Sequence, residues 1–123
     1  MKHLVNSFTY AFRGVVYALK TERNFRIHVV AAVIVVILMA FFHLRQWEYA
    51  FLTYTIGSVL ILELINTVFE RVTDVLQPRM HPYAQVMKDL MAAAVLIASI
   101  GALIIGIVIL GPHVLTAIQS YLY

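Results

Sequence analysis

Apolar residues run along this chain in three long blocks separated by short polar junctions. The first block, Ile27 to Phe42, is interrupted only by His28. The second starts near Tyr49 and carries no charge until it reaches Glu63-Leu64-Ile65-Asn66-Thr67-Val68-Phe69-Glu70-Arg71-Val72-Thr73-Asp74. The third, Leu90 to Leu110, has Ser99 as its polar interruption. Blocks of this kind approach the roughly 20 apolar residues that a bilayer-crossing helix needs. The first is short, and Arg26, Trp47 and Tyr49 complete it by snorkelling and interfacial anchoring.

Ahead of these blocks the pattern changes. Leu4, Phe8, Ala11, Phe12, Val15, Val16 and Leu19 recur at steps of three and four, while Lys2, Asn6, Arg13 and Lys20 fall elsewhere. This periodicity predicts an amphipathic helix over 3–20, lying in the interface. A signal peptide fits poorly, because charge breaks the apolar stripe and no small-residue cleavage site follows.

The predicted fold is therefore an all-α membrane protein. A surface helix at 3–20 precedes span 1 at 27–46, span 2 at 48–76 with a cytoplasmic extension, and span 3 at 83–110, and 111–123 is left as a tail. Thr21 is placed to cap the helix after the first junction, and His43-Leu44-Arg45-Gln46 forms an external turn. Gln77-Pro78-Arg79-Met80-His81-Pro82 should end the second helix, and Gly111-Pro112 the third. Ala92-Ala93-Ala94, Gly101 and Gly106 supply small residues for close packing in lipid.

Within the second block, Glu63, Asn66, Glu70 and Asp74 are spaced i, i+3, i+7 and i+11, which puts them on one narrow stripe of a helix. Carboxylates on a hydrophobic helix are expensive in lipid, so the stripe reads as the wall of a functional site.

Composition narrows the class. The 123 residues are 63% hydrophobic and 12% charged, well above the usual globular share of roughly 45–50% apolar. That length allows one membrane domain. With no cysteine, disulfide, thiolate and zinc–thiolate chemistry are unavailable. The net charge is +3, and its placement matters more than its size. Lys2, Arg13, Lys20, Arg23 and Arg26 precede the first block, Arg71, Arg79 and Lys88 lie between the second and third, and Arg45 lies between the first and second. The positive-inside rule places the N-terminus and second loop in the cytoplasm and the C-terminus outside. These charges flank spans instead of forming a separate patch, which argues against a nucleic-acid partner.

Several polar residues gather at the cytoplasmic boundary. Glu22 and Glu70 sit at similar depth, and paired carboxylates with phosphate oxygens and water suit Mg²⁺. Equally, Glu22 could simply offset Arg23 and Arg26. Glu63 lies deeper and suits a general base for an alcohol, or a structural carboxylate bonded through Asn66. Lys88 could hold a phosphate and Asp89 could accept from a nucleotide or orient the lysine, or the two could form an interfacial pair. His81 could contact a ligand or shape its turn. Tyr10 and Arg13 could face phosphate, though interfacial anchoring explains them more simply. Neither G-x-x-x-x-G-K-[ST] nor G-x-G-x-x-G occurs, so a nucleotide site would have to be built from helix ends and carboxylate-held metal.

The Glu63-Leu-Ile-Asn66-Thr67-x-x-Glu70-x-x-x-Asp74 pattern, with His81-Pro82 and Lys88-Asp89-x-x-Ala-Ala-Ala, resembles the signature of the prokaryotic diacylglycerol kinase family. Upstream, Tyr10-x-x-Arg13-Gly14 and Glu22-Arg23-Asn24-Phe25-Arg26-Ile27-His28 extend the resemblance, which covers roughly residues 8–105. The Thr21–His28 run looks like the Gram-positive branch, which phosphorylates undecaprenol more than diacylglycerol. The resemblance implies a homotrimer of three-span protomers with an N-terminal surface helix and sites shared between subunits, in a bacterial plasma membrane. It implies Glu63 as catalytic base, and Glu22 and Glu70 as metal carboxylates. Tyr10, Glu22, Glu70, Asp74, Arg79, Met80, His81, Lys88 and Asp89 would contact ATP, and Arg13, Glu63 and Asn66 the lipid substrate. Gln85 departs from the family, where many relatives carry lysine, so a second cationic contact to the nucleotide is in question.

On this reading the chain is an ATP- and Mg²⁺-dependent kinase of a lipid alcohol, undecaprenol, with diacylglycerol the alternative acceptor. A different class, a small proton- or cation-conducting oligomer lined by Glu63, Glu70 and Asp74, is allowed by composition. Against it, two of the three blocks offer almost no polar lining. A purely structural membrane subunit would not need the acidic stripe.

Overall fold

A computed structural model describes the backbone of all 123 residues, and the side chains of residues 1–76 and 82–123. The chain is helical almost throughout: α1 spans Lys2–Thr21, α2 Arg23–Phe41 and α3 Gln46–Leu122. At 1.5 Å per residue a straight helix of α3's 77 residues would extend about 115 Å. Yet Glu48 and His113 lie 3.2 Å apart, so its two arms, Gln46–Leu76 and Pro82–Leu122, run back along one another. The stop expected at Gln77–Pro82 rests mostly on side chains 77–81, which lie outside those described.

Among the described residues, three helical segments are long and apolar enough to cross a bilayer: Arg23–Phe41, Gln46–Leu76 and Pro82–Leu122. They leave many large apolar side chains exposed, among them Val30, Ile34 and Ile37 on α2, and Leu103, Ile104 and Ile107 on the second arm. Apolar surface on this scale belongs against lipid or another subunit.

The chain breaks between α1 and α2 at Glu22, whose backbone is extended at φ −109° and ψ 112°. Thr21 does not cap α2. It is the last residue of α1, its hydroxyl donating to Tyr17 O over 2.9 Å, and Glu22 takes the N-cap position without a side-chain bond. Arg26 makes the corner work: its Nη1 donates to Leu19 O (3.0 Å) and Lys20 O (3.2 Å), supplying partners for carboxyl-end carbonyls that α1 cannot satisfy itself. Phe25 and Ala18, both almost fully buried, pack the inside of the corner.

At the opposite end Phe42–Arg45 turns the chain into α3. Glu48 accepts from the Arg45 backbone N–H over 2.7 Å, an acidic side chain bonded in the first turn of a helix. Met39, Leu52, Ile109 and Leu110 form the apolar core there. Gly111-Pro112 does not stop the third span: α3 continues to Leu122. Pro112 removes one helical donor, but its neighbour His113 reaches Glu48 (3.2 Å) and lies against Phe42, ring centroids 5.9 Å apart. These tertiary contacts hold the helix through the break. Residues 111–122, expected as a tail, thus continue the helix.

No atom would lie within 4 Å of a Cβ added at Gly101 or Gly106, so the close approach expected there is not made between helices of one chain. Gly106 instead lines an apolar cavity of about 670 Å³ between α2 and the two arms.

Candidate active site

On the first arm, helical spacing sets Glu63, Asn66 and Glu70 facing the bundle. Glu63 is 2% exposed, and Asn66 and Glu70 are half-buried. Asn66 Nδ2 donates to Glu70 Oε1 over 3.3 Å, while Asn66 Oδ1 is buried without a partner. Thr67 and Thr73 are also buried and bond back to the helix, Thr67 to Glu63 O (3.0 Å) and Thr73 to Phe69 O (2.9 Å). Their hydroxyls satisfy themselves locally, so the polar capacity left over belongs to the acids and to Asn66.

α2 brings His28 to this stripe. Nδ1 of His28 lies 2.8 Å from Glu63 Oε1, yet neither atom has a directed hydrogen bond. The pair is in contact but not aligned. Its other ring nitrogen, Nε2, is 3.4 Å from Ser99 Oγ on the second arm, and Ser99 donates to Val95 O over 2.7 Å. His28 and Ser99 also line the apolar cavity, whose wall includes Ala32, Val59, Gly106 and Leu110. The cavity therefore has a polar head beside Glu63 and an apolar body.

Glu22 is held from the first arm. Arg71 Nη2 donates to its Oε1 over 2.7 Å, and the Arg71 guanidinium lies 5.9 Å from the Tyr17 ring centroid. One arginine thus ties α1, the start of α2 and the first arm together. Through Arg71–Glu22 and His28–Glu63, the α1–α2 corner and the stripe of the first arm are held at the same end of the bundle.

Asp74 leaves this group. Its Oδ1 pairs with Lys88 Nζ of the second arm at 2.5 Å, and its side chain is 46% exposed. Asp89 accepts from Gln85 Nε2 over 2.8 Å. Tyr10 and Arg13 are exposed on α1 and stack on each other at 6.0 Å, with no described contact to the acids. Arg79, Met80 and His81 lie outside the described side chains.

Among the described residues, no three His, Asp or Glu side chains converge at metal-binding spacing. The donors nonetheless suit a hard cation. Glu22 and Glu70 are carboxylates, and Asn66, whose amide donates to Glu70, leaves its Oδ1 without a partner, oxygen donors of the kind Mg²⁺ takes.

Sequence reasoning did not single out Arg71, Ser99 or the contact of His28 with Glu63. A usable signal existed for two of them. His28 and Ser99 are the lone polar interruptions of two apolar blocks, and such residues in spans seek partners on neighbouring helices.

The family described as prokaryotic diacylglycerol kinase matches residues 9–110. The chain belongs to the prokaryotic diacylglycerol kinase family. Among relatives of this family member, a "Diacylglycerol kinase" of Synechocystis is 43% identical over 93% of this chain, which spans 66% of that relative's length. An "Undecaprenol kinase" of Bacillus subtilis is 35% identical over 91% of both chains. A "Diacylglycerol kinase" of Escherichia coli is 28% identical over 89% of this chain and 90% of its own. These names place the family member among lipid kinases, and its three apolar spans fit a membrane enzyme.

Proposed function

We propose that this protein transfers the γ-phosphoryl group of ATP to the hydroxyl of undecaprenol at the cytoplasmic face of a bacterial plasma membrane. The N-terminus and the loop between the arms are cytoplasmic in this reading, and the C-terminus is outside. α1 rests in the interface on its apolar side, and the chain works as a homotrimer with sites shared between subunits. The observation that carries the reading is the buried Glu63, in contact with His28 where that residue heads an apolar cavity, on a helix that also carries Asn66 and Glu70. A lipid chain in the cavity would bring its hydroxyl to Glu63 while the phosphates stayed at the polar boundary.

Glu63 takes the proton of the attacking hydroxyl, and Asn66 orients the acceptor beside it. Glu22 and Glu70 would hold Mg²⁺, which supplies neutralising charge to the transferring phosphoryl when bound. Lys88 turns from Asp74 to the nucleotide phosphates, and Asp89, Tyr10 and the Arg79–His81 segment complete the nucleotide contacts. Arg13 contacts the acceptor from α1. Most of the rate then comes from positioning and charge stabilisation, as phosphoryl transfer requires.

Diacylglycerol is the second acceptor reading, favoured by the 43% identity to a relative bearing that name. For undecaprenol stands the Thr21-Glu22-Arg23-Asn24-Phe25-Arg26-Ile27-His28 run. Purified protein with [γ-³²P]ATP, Mg²⁺ and either undecaprenol, dioleoylglycerol or ceramide in micelles tests both. Label in undecaprenol is expected. Label in dioleoylglycerol alone overturns the acceptor, and label in no lipid overturns the kinase reading.

A further inference from the structure

The residues that interrupt two apolar spans, His28 and Ser99, meet at Glu63. His28 Nδ1 lies 2.8 Å from Glu63 Oε1, which sets the edge of the ring on the carboxylate, although neither atom has a directed hydrogen bond. On its far side the ring has a second partner, Ser99 Oγ at 3.4 Å from Nε2. Ser99 itself is fixed by donating to Val95 O over 2.7 Å. The imidazole is thus bracketed by two helical arms, on a third helix, at the head of the apolar cavity.

We propose that His28 is a positioning residue for Glu63. Nδ1 engages Oε1, sets the plane of the carboxylate and directs Oε2 toward the lipid hydroxyl, while Ser99 keeps the ring from turning away. This follows the general logic of a base held by a third group. The misaligned contact tightens when the acceptor arrives, as catalytic hydrogen bonds commonly do. A carboxylate free to rotate would spend little of its time facing the hydroxyl. The role rests on Glu63 being the base, and the test separates the two.

Steady-state kinetics with [γ-³²P]ATP and dioleoylglycerol or undecaprenol as probe are measured on full-length His28→Ala, His28→Asn, Ser99→Ala and Glu63→Gln, and on the His28→Ala/Glu63→Gln double variant. His28→Ala should lose about 10–100-fold in kcat, the range for groups that orient a reacting ligand. KM for ATP and for the lipid should stay within about twofold, because a positioning group acts on the transition state and not on uniform binding. His28→Asn, whose amide can donate where Nδ1 did, should recover most of the loss. Ser99→Ala, a small change at a half-buried site, should show a weaker fall in kcat and decides the matter if His28→Ala fails to fold. Adding His28→Ala to Glu63→Gln should cost nothing further. Equal losses in the Ala and Asn variants, an effect on KM alone, or additive losses in the double variant overturn the positioning role. Wild-type kcat in Glu63→Gln instead overturns the base on which it rests.

Discussion

Arg71 and Glu22, 49 positions apart, are joined by a 2.7 Å contact from Nη2 to Oε1. The contact engages one carboxylate oxygen of Glu22. Glu22→Gln keeps an oxygen for Arg71 but loses the charge a hard cation needs. Turnover in Glu22→Gln and in Glu70→Gln should fall at least about 10²-fold, because metal charge stabilisation is worth several kcal/mol. Both variants should remain folded in the membrane. A Mg²⁺ titration of activity checks this, and wild-type rates with an unchanged midpoint would remove both residues from the metal site.

Lys88 and Asp74 clamp the two arms at 2.5 Å, yet both side chains are substantially exposed. An exposed pair contributes only about 0–1 kcal/mol, so Lys88→Met should leave the melting temperature almost unchanged. If Lys88 serves the nucleotide, losing a charge-assisted bond of about 1.5–3 kcal/mol raises KM for ATP roughly 10–100-fold. A stability loss with unchanged KM would make Lys88 a structural clamp.

Local pattern carried much of this architecture, and what it missed came from tertiary contact. The three apolar blocks announced three spans because a bilayer demands long uncharged runs. Glu63, Asn66 and Glu70 were legible as a stripe because helical spacing and the expense of charge in lipid both single them out. Asp74 obeyed the same spacing, but a lysine on the returning arm draws it away. Proline rules predicted an end at Gly111-Pro112, and they could not anticipate that Glu48, 65 positions earlier, would hold His113. The corner at Glu22 depends likewise on Arg26 reaching back to Leu19 and Lys20.

The cavity yields a prediction about the acceptor. Gly106 lines it, and a Cβ there meets nothing within 4 Å, so Gly106→Phe can fill the space without displacing backbone. Crowding a chain from a filled cavity costs about 1–3 kcal/mol, which raises KM for a long-chain lipid about tenfold or more. Binding of an ATP analogue should not change. Unaltered lipid kinetics would mean that the acceptor chain lies elsewhere.

Charge asymmetry around the spans fixes the expected topology. A reporter fused after Tyr123 should be extracytoplasmic, and one inserted at position 78 cytoplasmic. Since one span, Pro82–Leu122, separates the two sites, finding both on the same side would contradict the three-span reading.

The most direct test of the central claim is phosphoryl transfer from [γ-³²P]ATP to micellar lipid by wild type and Glu63→Gln. Gln keeps the shape of the side chain and can still bond to His28, so assembly, melting temperature and ATP-analogue affinity should match wild type. Loss of a positioned base should lower kcat by at least about 10²-fold. A Glu63→Gln protein that transfers phosphate at the wild-type rate, or one that stays active but falls apart in detergent, would contradict the account and make Glu63 a structural carboxylate.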